Sequence, residues 1–188
     1  MDTPVDPRTA RSRDAILAAA HTLLVREGPA SVTHQRVAHE AGVGRATVYR
    51  HWQRADHLLL AAMSGSDLPF FRSPTSPVRP WLHQELRKLA DELTLPAVAA
   101  VTLTLMQTAL WDPDAATRRN HSSAAVTTRI TTALDLAQET GELTTVLPSE
   151  DAAALLIGPM LYRTAMEAGT VSDMLISHLL DSVGTWRD

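Results

Sequence analysis

Residues 33–52 read THQRVAHEAGVGRATVYRHW. The spacing of apolar residues in this stretch predicts two short helices, at about 34–41 and 45–51, with Gly42 between them. Glycine adopts the left-handed backbone conformation of a tight corner without the steric cost that a side chain brings. Two short helices joined by such a corner form a helix-turn-helix, the reading head of many DNA-binding proteins.

Small and apolar residues close the predicted corner. Ala38 lies four positions before the corner glycine, where closely crossing helices leave room for only a small side chain. Thr33 stands directly before the first short helix, where its hydroxyl can accept a hydrogen bond from a first-turn N–H. This spacing favours a DNA-binding motif over an ordinary helical hairpin. The other apolar residues that we expect to close the crossing are Val37, Ala41, Val43 and Val48.

Polar side chains crowd the second short helix. Arg45 lies in its first turn, the part of a recognition helix that reaches base edges, and arginine pairs bidentately with guanine. Ala46 can touch a thymine methyl group. The polar residues after them are of types that contact phosphate and position the head, although each could also be a plain solvated residue. The predicted DNA-binding set is Thr33, His34, Gln35, Arg45, Ala46, Thr47, Tyr49, Arg50 and His51.

Charge is distributed unevenly along the chain. The net charge is −4, yet residues 1–63 hold eight arginines and six acidic residues, whereas the remainder holds nine basic and fifteen acidic residues. Five of the eight histidines also fall in the first part. The N-terminal part is therefore more basic than the rest of the chain, as expected for a segment that binds the negatively charged phosphates of nucleic acid.

Helical periodicity continues beyond the motif, and no stretch of the sequence sustains strand-type alternation. Gly28-Pro29 is predicted to end the first helix, and a proline- and serine-rich stretch at 64–80 is typical of a linker or irregular loop. We therefore predict an all-α fold of about nine helices. Its parts are a helix-turn-helix head at 1–52, a connecting helix at about 54–64 and a helical body at 65–188. The remaining predicted helices are 9–27, 80–94, 96–111, 113–140, 149–168 and 172–186.

Composition excludes several kinds of site. The chain has no cysteine, which rules out a disulfide framework, a thiolate zinc site and a thiol redox switch. His34 and His39 are five positions apart and do not share a helix face, so we predict no metal site and no cofactor. We find no signal peptide and no membrane span, and we expect a cytoplasmic protein without membrane contact.

The segment from about 12 to 63 resembles the DNA-binding domain of the TetR family of bacterial repressors. The rest of the chain is similar to the family only in its architecture, an all-helical body that binds a small ligand and dimerises. The resemblance implies a repressor that binds a palindromic double-stranded DNA operator as a homodimer. A small apolar or aromatic effector would shift the population toward a dimer that no longer fits the operator. The matching residues are Thr33, Val37-Ala38, Ala41-Gly42-Val43, Thr47-Val48-Tyr49 and His51-Trp52.

Two positions depart from the family pattern. The recognition helix of the family is usually capped by serine, where this chain has Gly44, a somewhat weaker cap. The first turn of the connecting helix usually carries a phosphate-binding lysine, where this chain has Ala55. The neighbouring Arg54 would point about 100° away from the direction of position 55 on a helix. Whether Arg54 binds the phosphate in place of the lysine stays an open alternative.

Aromatic, methionine and polar residues of the body are candidates for the ligand site. Gln107 stands out because it is polar and follows the largely apolar stretch 101–106, and a buried amide needs a hydrogen-bond partner. A ligand or a backbone carbonyl could be that partner, and side chains of these types are also common in helical cores. The candidates are Trp81, Met106, Gln107, Leu110, Trp111, Met160 and Tyr162.

The final two predicted helices are candidates for the dimer interface. Their apolar sets are broader than one stripe needs for packing inside a small body, and two such helices from each chain would form a four-helix bundle. The alternative is that both helices are simply the wall of a monomer. The predicted interface residues are Leu155, Leu156, Met174, Leu175, Leu179 and Val183.

Two other classes of function compete with DNA binding. A helical adaptor would use the head for protein contacts. A hydrolytic enzyme would need a nucleophile with a base, and the sequence contains no Gly-x-Ser-x-Gly motif, no phosphate-cradling glycine loop and no evident carboxylate pair. We therefore predict that the chain is not an enzyme.

Overall fold

The computed structural model describes residues 7–63 and 70–187. Helices dominate this part of the chain, which confirms the predicted all-α fold. The first six residues of the predicted head, the predicted end of the connecting helix at 64 and the start of the predicted linker at 64–69 lie outside the described residues. The α-helices are α1 (Pro7–Glu27), α2 (His34–Glu40), α3 (Arg45–His51), α4 (Ala55–Met63), α5 (Val78–Leu93), α6 (Pro96–Thr108), α7 (Pro113–Glu139), α8 (Ser149–Leu161) and α9 (Asp173–Ser182). Among the helices of the described ranges, none alone is long and apolar enough to cross a membrane, and only α5 and α6 taken together meet that criterion.

The described residues fall into two compact units. The first unit contains the residues up to 63 together with Ala100–Ala115, and the second contains residues 70–99 and 116–187. Most of α6 and the start of α7 therefore group with the N-terminal helices, whereas the sequence-based division placed them in the body.

The first unit is organised around the apolar face of α1, which packs against α4 and α2. Gly28 follows the end of this helix with a φ of 82° and a ψ of 175°, a backbone conformation that glycine adopts far more readily than residues with a side chain. Ser31 is buried in the 3₁₀ turn that follows, and its hydroxyl donates to the carbonyl oxygen of Leu23 at 2.9 Å. The residues that form the α1 face at helical spacing are all buried, as their periodicity predicts: Ile16, Ala20, Leu23 and Leu24.

Asp112 fixes the start of α7 within the first unit. Its Oδ1 accepts a hydrogen bond from the backbone N–H of Ala115 at 2.8 Å, in the manner of a helix N-cap. Its Oδ2 lies 2.9 Å from Nε2 of His57 on α4, but the two groups are not aligned for a hydrogen bond, so this contact is chiefly electrostatic. The hydrogen bond from Ala115 and the charge of His57 hold the pKa of the Asp112 carboxyl below its ordinary value.

Asp112→Asn should make the stability of the protein less sensitive to acid. A carboxyl whose pKa is lower in the folded chain contributes stability above its unfolded value, here 3.8, and this contribution is lost as pH falls through the folded value. Asparagine remains a good N-cap but carries no charge. Thermal unfolding between about pH 2 and 6 should show a shallower acid-side decline for the variant. A decline as steep as that of the parent chain would contradict the pairing.

The second unit has a core shared by α5, α8, α9 and the C-terminal part of α7. Phe70 and Phe71, which lie inside the predicted linker at 64–80, are buried in this core, so this part of the linker is docked on apolar surface. The buried carboxylate of Glu85 accepts a hydrogen bond from the N–H of Phe71 and pairs with Nζ of Lys88, both at 2.6 Å. These partners compensate the cost of burying a charge.

The helix predicted over 149–168 is interrupted. α8 ends at Leu161, and the backbone changes to a π-helical turn at Tyr162–Met166. Pro159 lies just upstream and has no N–H to donate to the helix ladder. π-helical turns are rare in proteins, and those that occur are often at functional sites.

The helix predicted over 172–186 is too long. α9 ends at Ser182, and a two-residue strand β2 (Thr185–Trp186) pairs antiparallel with β1 (Leu143–Thr144). Gly184 explains the difference: its φ is 159°, and a Cβ there would lie 2.6 Å from the carbonyl oxygen of Thr144. Two backbones approach too closely at this point for any side chain to fit.

Candidate nucleic-acid interface

The corner between α2 and α3 has the conformation that the sequence predicts. Gly42 has a φ of 65°, and a Cβ at this position would meet open space, so the backbone conformation alone requires the glycine. The N–H of Val43 donates to the carbonyl oxygen of Ala38 at 3.0 Å and closes the turn. Val37, Ala38 and Val48 are buried inside the crossing.

The two helices of the motif begin differently. Thr33 caps α2 as predicted, because its Oγ1 accepts a hydrogen bond from the N–H of Arg36 at 3.3 Å. Gly44 precedes α3 with an extended backbone and without a side-chain hydrogen bond. Its φ of −69° suits any residue, and an added Cβ would meet only Oγ1 of Thr47, at 3.8 Å. The backbone therefore does not require a glycine at the start of α3.

Gly44→Ser should stabilise the head. A serine hydroxyl can accept a hydrogen bond from a first-turn N–H of α3, and replacing glycine lowers the entropy of the unfolded chain, together worth about 0.5–1 kcal/mol. Urea unfolding measures the gain. Gly42→Ser is the matched control and should lower the stability, because the φ of 65° disfavours a side chain. A destabilised Gly44→Ser protein would mean that the start of α3 cannot accept a cap.

Most of the predicted DNA-binding set lies on the surface of the first unit. On α3, Arg45 and Arg50 are exposed, and within the described residues neither pairs with a carboxylate. Thr47 and His51 are half-buried. α3 therefore presents unpaired positive charge together with hydrogen-bonding groups. The other exposed members of the set are Thr33, Gln35, Ala46 and Tyr49.

Two arginines, Arg26 at the end of α1 and Arg36 on α2, are paired with carboxylates within the first unit. Arg36 forms an ion pair with Glu27, and Arg26 bridges to the same glutamate at 2.8 Å. Hydrogen bonds from Arg36 and Arg26 hold the pKa of the Glu27 carboxyl below its ordinary value, so it stays ionised. The charge of these two arginines is therefore less available to a phosphate than that of Arg45 and Arg50 on α3.

His34 belongs to the interior of the head, which corrects the prediction that it contacts DNA. Its side chain is buried, and Nε2 lies 2.7 Å from the carbonyl oxygen of Trp52. A carbonyl oxygen only accepts, so Nε2 donates this hydrogen bond. The sequence predicts an exposed side chain here because polar residues at the start of a helix usually face solvent. The hydrogen bond to Trp52, 18 positions along the chain, cannot be predicted from the residues around His34.

Three side chains of the motif form a layered stack. The rings of His34 and Tyr49 are parallel within 1°, with their centroids 4.0 Å apart. On Tyr49, the guanidinium carbon of Arg45 lies 5.2 Å from the ring centroid, and its NH2 group donates to the tyrosine hydroxyl at 3.1 Å. The only signal for this stack in the sequence is the i,i+4 spacing of Arg45 and Tyr49, which puts them on one helix face.

His51 and Trp52 connect the end of α3 to α1. Nε2 of His51 lies 3.0 Å from Oγ of Ser12, within hydrogen-bond distance. The guanidinium of Arg13 lies over the ring of the buried Trp52, 5.5 Å from its centroid. These contacts fix α3 against α1, the helix that carries the core of the unit.

Arg54, beside the position where a phosphate-binding lysine was expected, is engaged in an ion pair. Its Nε and NH2 groups donate to the two carboxylate oxygens of Asp56 at 3.0 and 2.6 Å. These bonds hold the pKa of the Asp56 carboxyl below its ordinary value. The pairing lowers the charge that Arg54 can offer to a phosphate, and the adjacent Ala55 supplies no charge.

The predicted ligand-site residues fall in both units. Gln107 is exposed, which removes the reason for selecting it, because water satisfies an exposed amide. Met160 lies in the core of the second unit, where Trp81 is half-buried and Tyr162 exposed. Within the described ranges, no group of three or more His, Asp or Glu side chains is placed to hold a metal ion. The exposed candidates of the first unit, besides the glutamine, are Met106, Leu110 and Trp111.

Half of the predicted dimer-interface residues lie in the core of the second unit. Their assignment as contact residues is corrected, because the apolar breadth of α8 and α9 serves packing within one chain. Leu175 is half-buried, whereas Leu155 and Met174 are exposed. The buried residues of the predicted set are Leu156, Leu179 and Val183.

Large apolar side chains are nevertheless exposed on α8, on the π-helical turn and on α9. We call the four exposed residues Leu155, Tyr162, Met166 and Met174 the α8–α9 surface. A groove of about 740 Å³ opens beside Tyr162, and Gly158 and Leu175 contribute to its lining.

Two family models match the sequence. One, described as bacterial regulatory proteins of the tetR family, matches residues 16–62. The other, described as the tetracyclin repressor-like C-terminal domain, matches residues 74–183. Together they span both the head and the body. No curated protein matches the sequence significantly.

Solved structures of transcription regulators share the fold. The TetR family transcription regulator SCO0332 is 25% identical with a TM-score of 0.70, over 92% of this chain and 96% of the other. NalD, described as the secondary repressor of the MexAB-OprM multidrug efflux pump in Pseudomonas aeruginosa, is 22% identical with a TM-score of 0.60, over 96% and 98%. A transcriptional regulator from Saccharomonospora viridis in complex with choline is 21% identical with a TM-score of 0.61, over 92% and 95%.

Proposed function

The chain belongs to the TetR family of bacterial transcription regulators, and from this premise we propose that it represses transcription by binding a palindromic operator as a homodimer. A small ligand would release it from the operator. The observation that carries the proposal is the exposed face of α3, where Arg45 and Arg50 have no carboxylate partner within the described residues. Such a face is suited to the negative charge of DNA.

α3 is the proposed recognition helix. In a helix-turn-helix this helix lies in the major groove with its first turn toward the bases. Arg45 would read a guanine edge there, and Ala46 would touch a thymine methyl group. Thr47, Tyr49 and Arg50 would contact phosphates and hold the register of the head on the duplex. His51 and the residues at the start of α2, Thr33 and Gln35, would add contacts to the DNA backbone.

The proposed dimer contact is the α8–α9 surface. Clustered large apolar residues on a protein surface mark sites of interaction. A second copy that meets this surface about a two-fold axis would bury the same residues from both chains, and that symmetry suits a palindromic operator. Dimerisation is also required for selectivity, since one short recognition helix contacts too few base pairs to be selective in a genome.

The proposed effector is a small apolar or aromatic molecule bound by the helical body. The match to the tetracyclin repressor-like C-terminal domain and the choline in the structure of the regulator from Saccharomonospora viridis support the binding of a small molecule. The apolar or aromatic character of the effector rests on the aromatic and methionine side chains among the candidate contacts. Release would be a population shift, in which the ligand favours a dimer whose two heads no longer fit successive major grooves. Trp81 and Tyr162 remain candidate contacts in the second unit, with Met160 only where the core opens to the ligand. Met106, Leu110 and Trp111 remain separate candidates in the first unit.

Selection from a pool of random-sequence duplexes tests the function. The full-length protein should enrich an inverted repeat with half-sites about one helical turn, or a multiple of it, apart. Binding to the enriched duplex should weaken steeply as the salt concentration rises. A pool without enrichment, even at low salt, would contradict operator binding and favour a helical adaptor.

A ligand screen on the same material tests release. Compounds that raise the melting temperature of the protein bind its folded state. The proposal expects some of them to displace the protein from the selected duplex, because a releasing ligand must bind the DNA-free form more tightly. If every stabilising compound left the DNA complex intact, the release mechanism would be wrong.

A further inference from the structure

We propose that His34 and Tyr49 are positioning residues that set the sequence selectivity of Arg45, an inference that rests on the proposed operator binding. The observation that carries it is the layered stack of the three side chains. The imidazole and phenol rings are parallel within 1°, and the guanidinium lies over the same phenol ring. The stack thus joins a buried residue of α2 to an exposed residue in the first turn of α3.

His34 is the fixed end of the stack. Its side chain is 8% exposed, and Nε2 donates to the carbonyl oxygen of Trp52 at 2.7 Å, so the interior of the head sets both its place and its ring orientation. Stacking on this ring restricts the ring of Tyr49, which is 40% exposed and would otherwise be mobile at the surface.

Tyr49 transmits this order to Arg45. Its hydroxyl oxygen accepts the hydrogen bond from the NH2 group of Arg45 at 3.1 Å, and the guanidinium lies at a cation–π distance from the ring. Only one guanidinium N–H is used by this bond, so the others remain for a guanine edge. The hydroxyl proton of Tyr49 is also unused by it and can be donated to a phosphate oxygen. One tyrosine can thereby connect the base-reading arginine to the DNA backbone.

Loss of the stack should change selectivity as well as affinity. A free arginine side chain loses rotamer freedom when it is fixed against a base, which weakens base recognition. An arginine that is already held over the Tyr49 ring loses less rotamer freedom when it binds the base. Removing the stack should therefore reduce the difference in binding affinity between duplexes with the preferred base pair and duplexes with one of the other three. A merely structural defect of the head would weaken binding to every duplex equally.

The experiment compares full-length variants on the duplex that the parent protein selects from a random pool, and on duplexes with one base pair replaced symmetrically in both half-sites. Arg45→Ala identifies the base pair whose preference depends on Arg45. Tyr49→Leu and His34→Gln, which each remove one ring of the stack, should each reduce the preference at that base pair by about three- to tenfold. Tyr49→Phe keeps both ring contacts and should chiefly weaken binding to all duplexes, because the phosphate donor is lost.

His39→Gln is the matched control, since His39 is an exposed histidine on the same helix, and it should leave all base preferences unchanged. Thermal unfolding reports whether His34→Gln destabilises the head, and Tyr49→Leu, at an exposed position, tests the inference in either case. Uniform weakening without a change of preference in Tyr49→Leu, or an Arg45→Ala protein with its base preferences intact, would overturn the inference but not operator binding. A parent protein that enriches no duplex would overturn the proposed function and this inference with it.

Discussion

Met174→Glu should convert the proposed dimer into a monomer of 20.4 kDa and weaken operator binding by about 100-fold or more. Met174 is 68% exposed in the first turn of α9 and belongs to the α8–α9 surface. A two-fold interface carries each substitution twice, so the variant would bring two carboxylates into an apolar contact. Each half-site would then be bound separately, without the gain of linked binding.

The folded monomer should tolerate this substitution. The N-terminal turn of a helix stabilises negative charge, so a glutamate in the first turn of α9 favours the helix. Val146→Glu is the matched control, because Val146 is a fully exposed apolar residue of the same unit outside the α8–α9 surface. Analytical ultracentrifugation should show a changed mass for Met174→Glu only. A Met174→Glu dimer with full operator affinity would place the dimer contact elsewhere.

A charge at Leu179 would not test the same point, although the apolar pattern of the last helix makes Leu179 an obvious choice. Leu179 lies in the core of the second unit, so a charge there opposes folding itself. The periodicity of α8 and α9 shows that they have more apolar residues than one stripe needs. It does not show which stripe faces the interior, because that depends on how α5 and α7 pack against them.

The head could be predicted more fully because local rules determine most of it. The left-handed conformation of Gly42, the cap at Thr33 and the end of α1 at Gly28 each depend on residues within a few positions. The stack of His34 on Tyr49 and the close approach at Gly184 depend on partners far away along the chain. Such contacts arise only when the helices are packed, so a local pattern does not reveal them.

Arg45→Ala should remove the preference for one base pair in each half-site, at a cost of about 1–3 kcal/mol, or about 5- to 150-fold, per half-site. The reason is that arginine reads the two acceptors of guanine, and alanine has no donor to replace it. Arg50→Ala is the matched control from the same exposed face of α3. It should weaken binding to all sequences alike and reduce the salt dependence, as the loss of a phosphate contact does.

The two-fold symmetry of the operator makes the Arg45 result quantitative. Because separate base-pair changes contribute almost additively, replacing the base pair in both half-sites should cost the parent dimer twice the free energy of replacing it in one. For the Arg45→Ala protein, replacing the base pair in one or in both half-sites should leave the binding free energy unchanged. The Arg50→Ala protein should lose as much binding free energy on each replacement as the parent protein does. Fluorescence anisotropy titrations of the three proteins on the three duplexes measure this directly. Penalties that persist in Arg45→Ala would assign base reading to another residue of α3, and Ala46 is its only other proposed base contact.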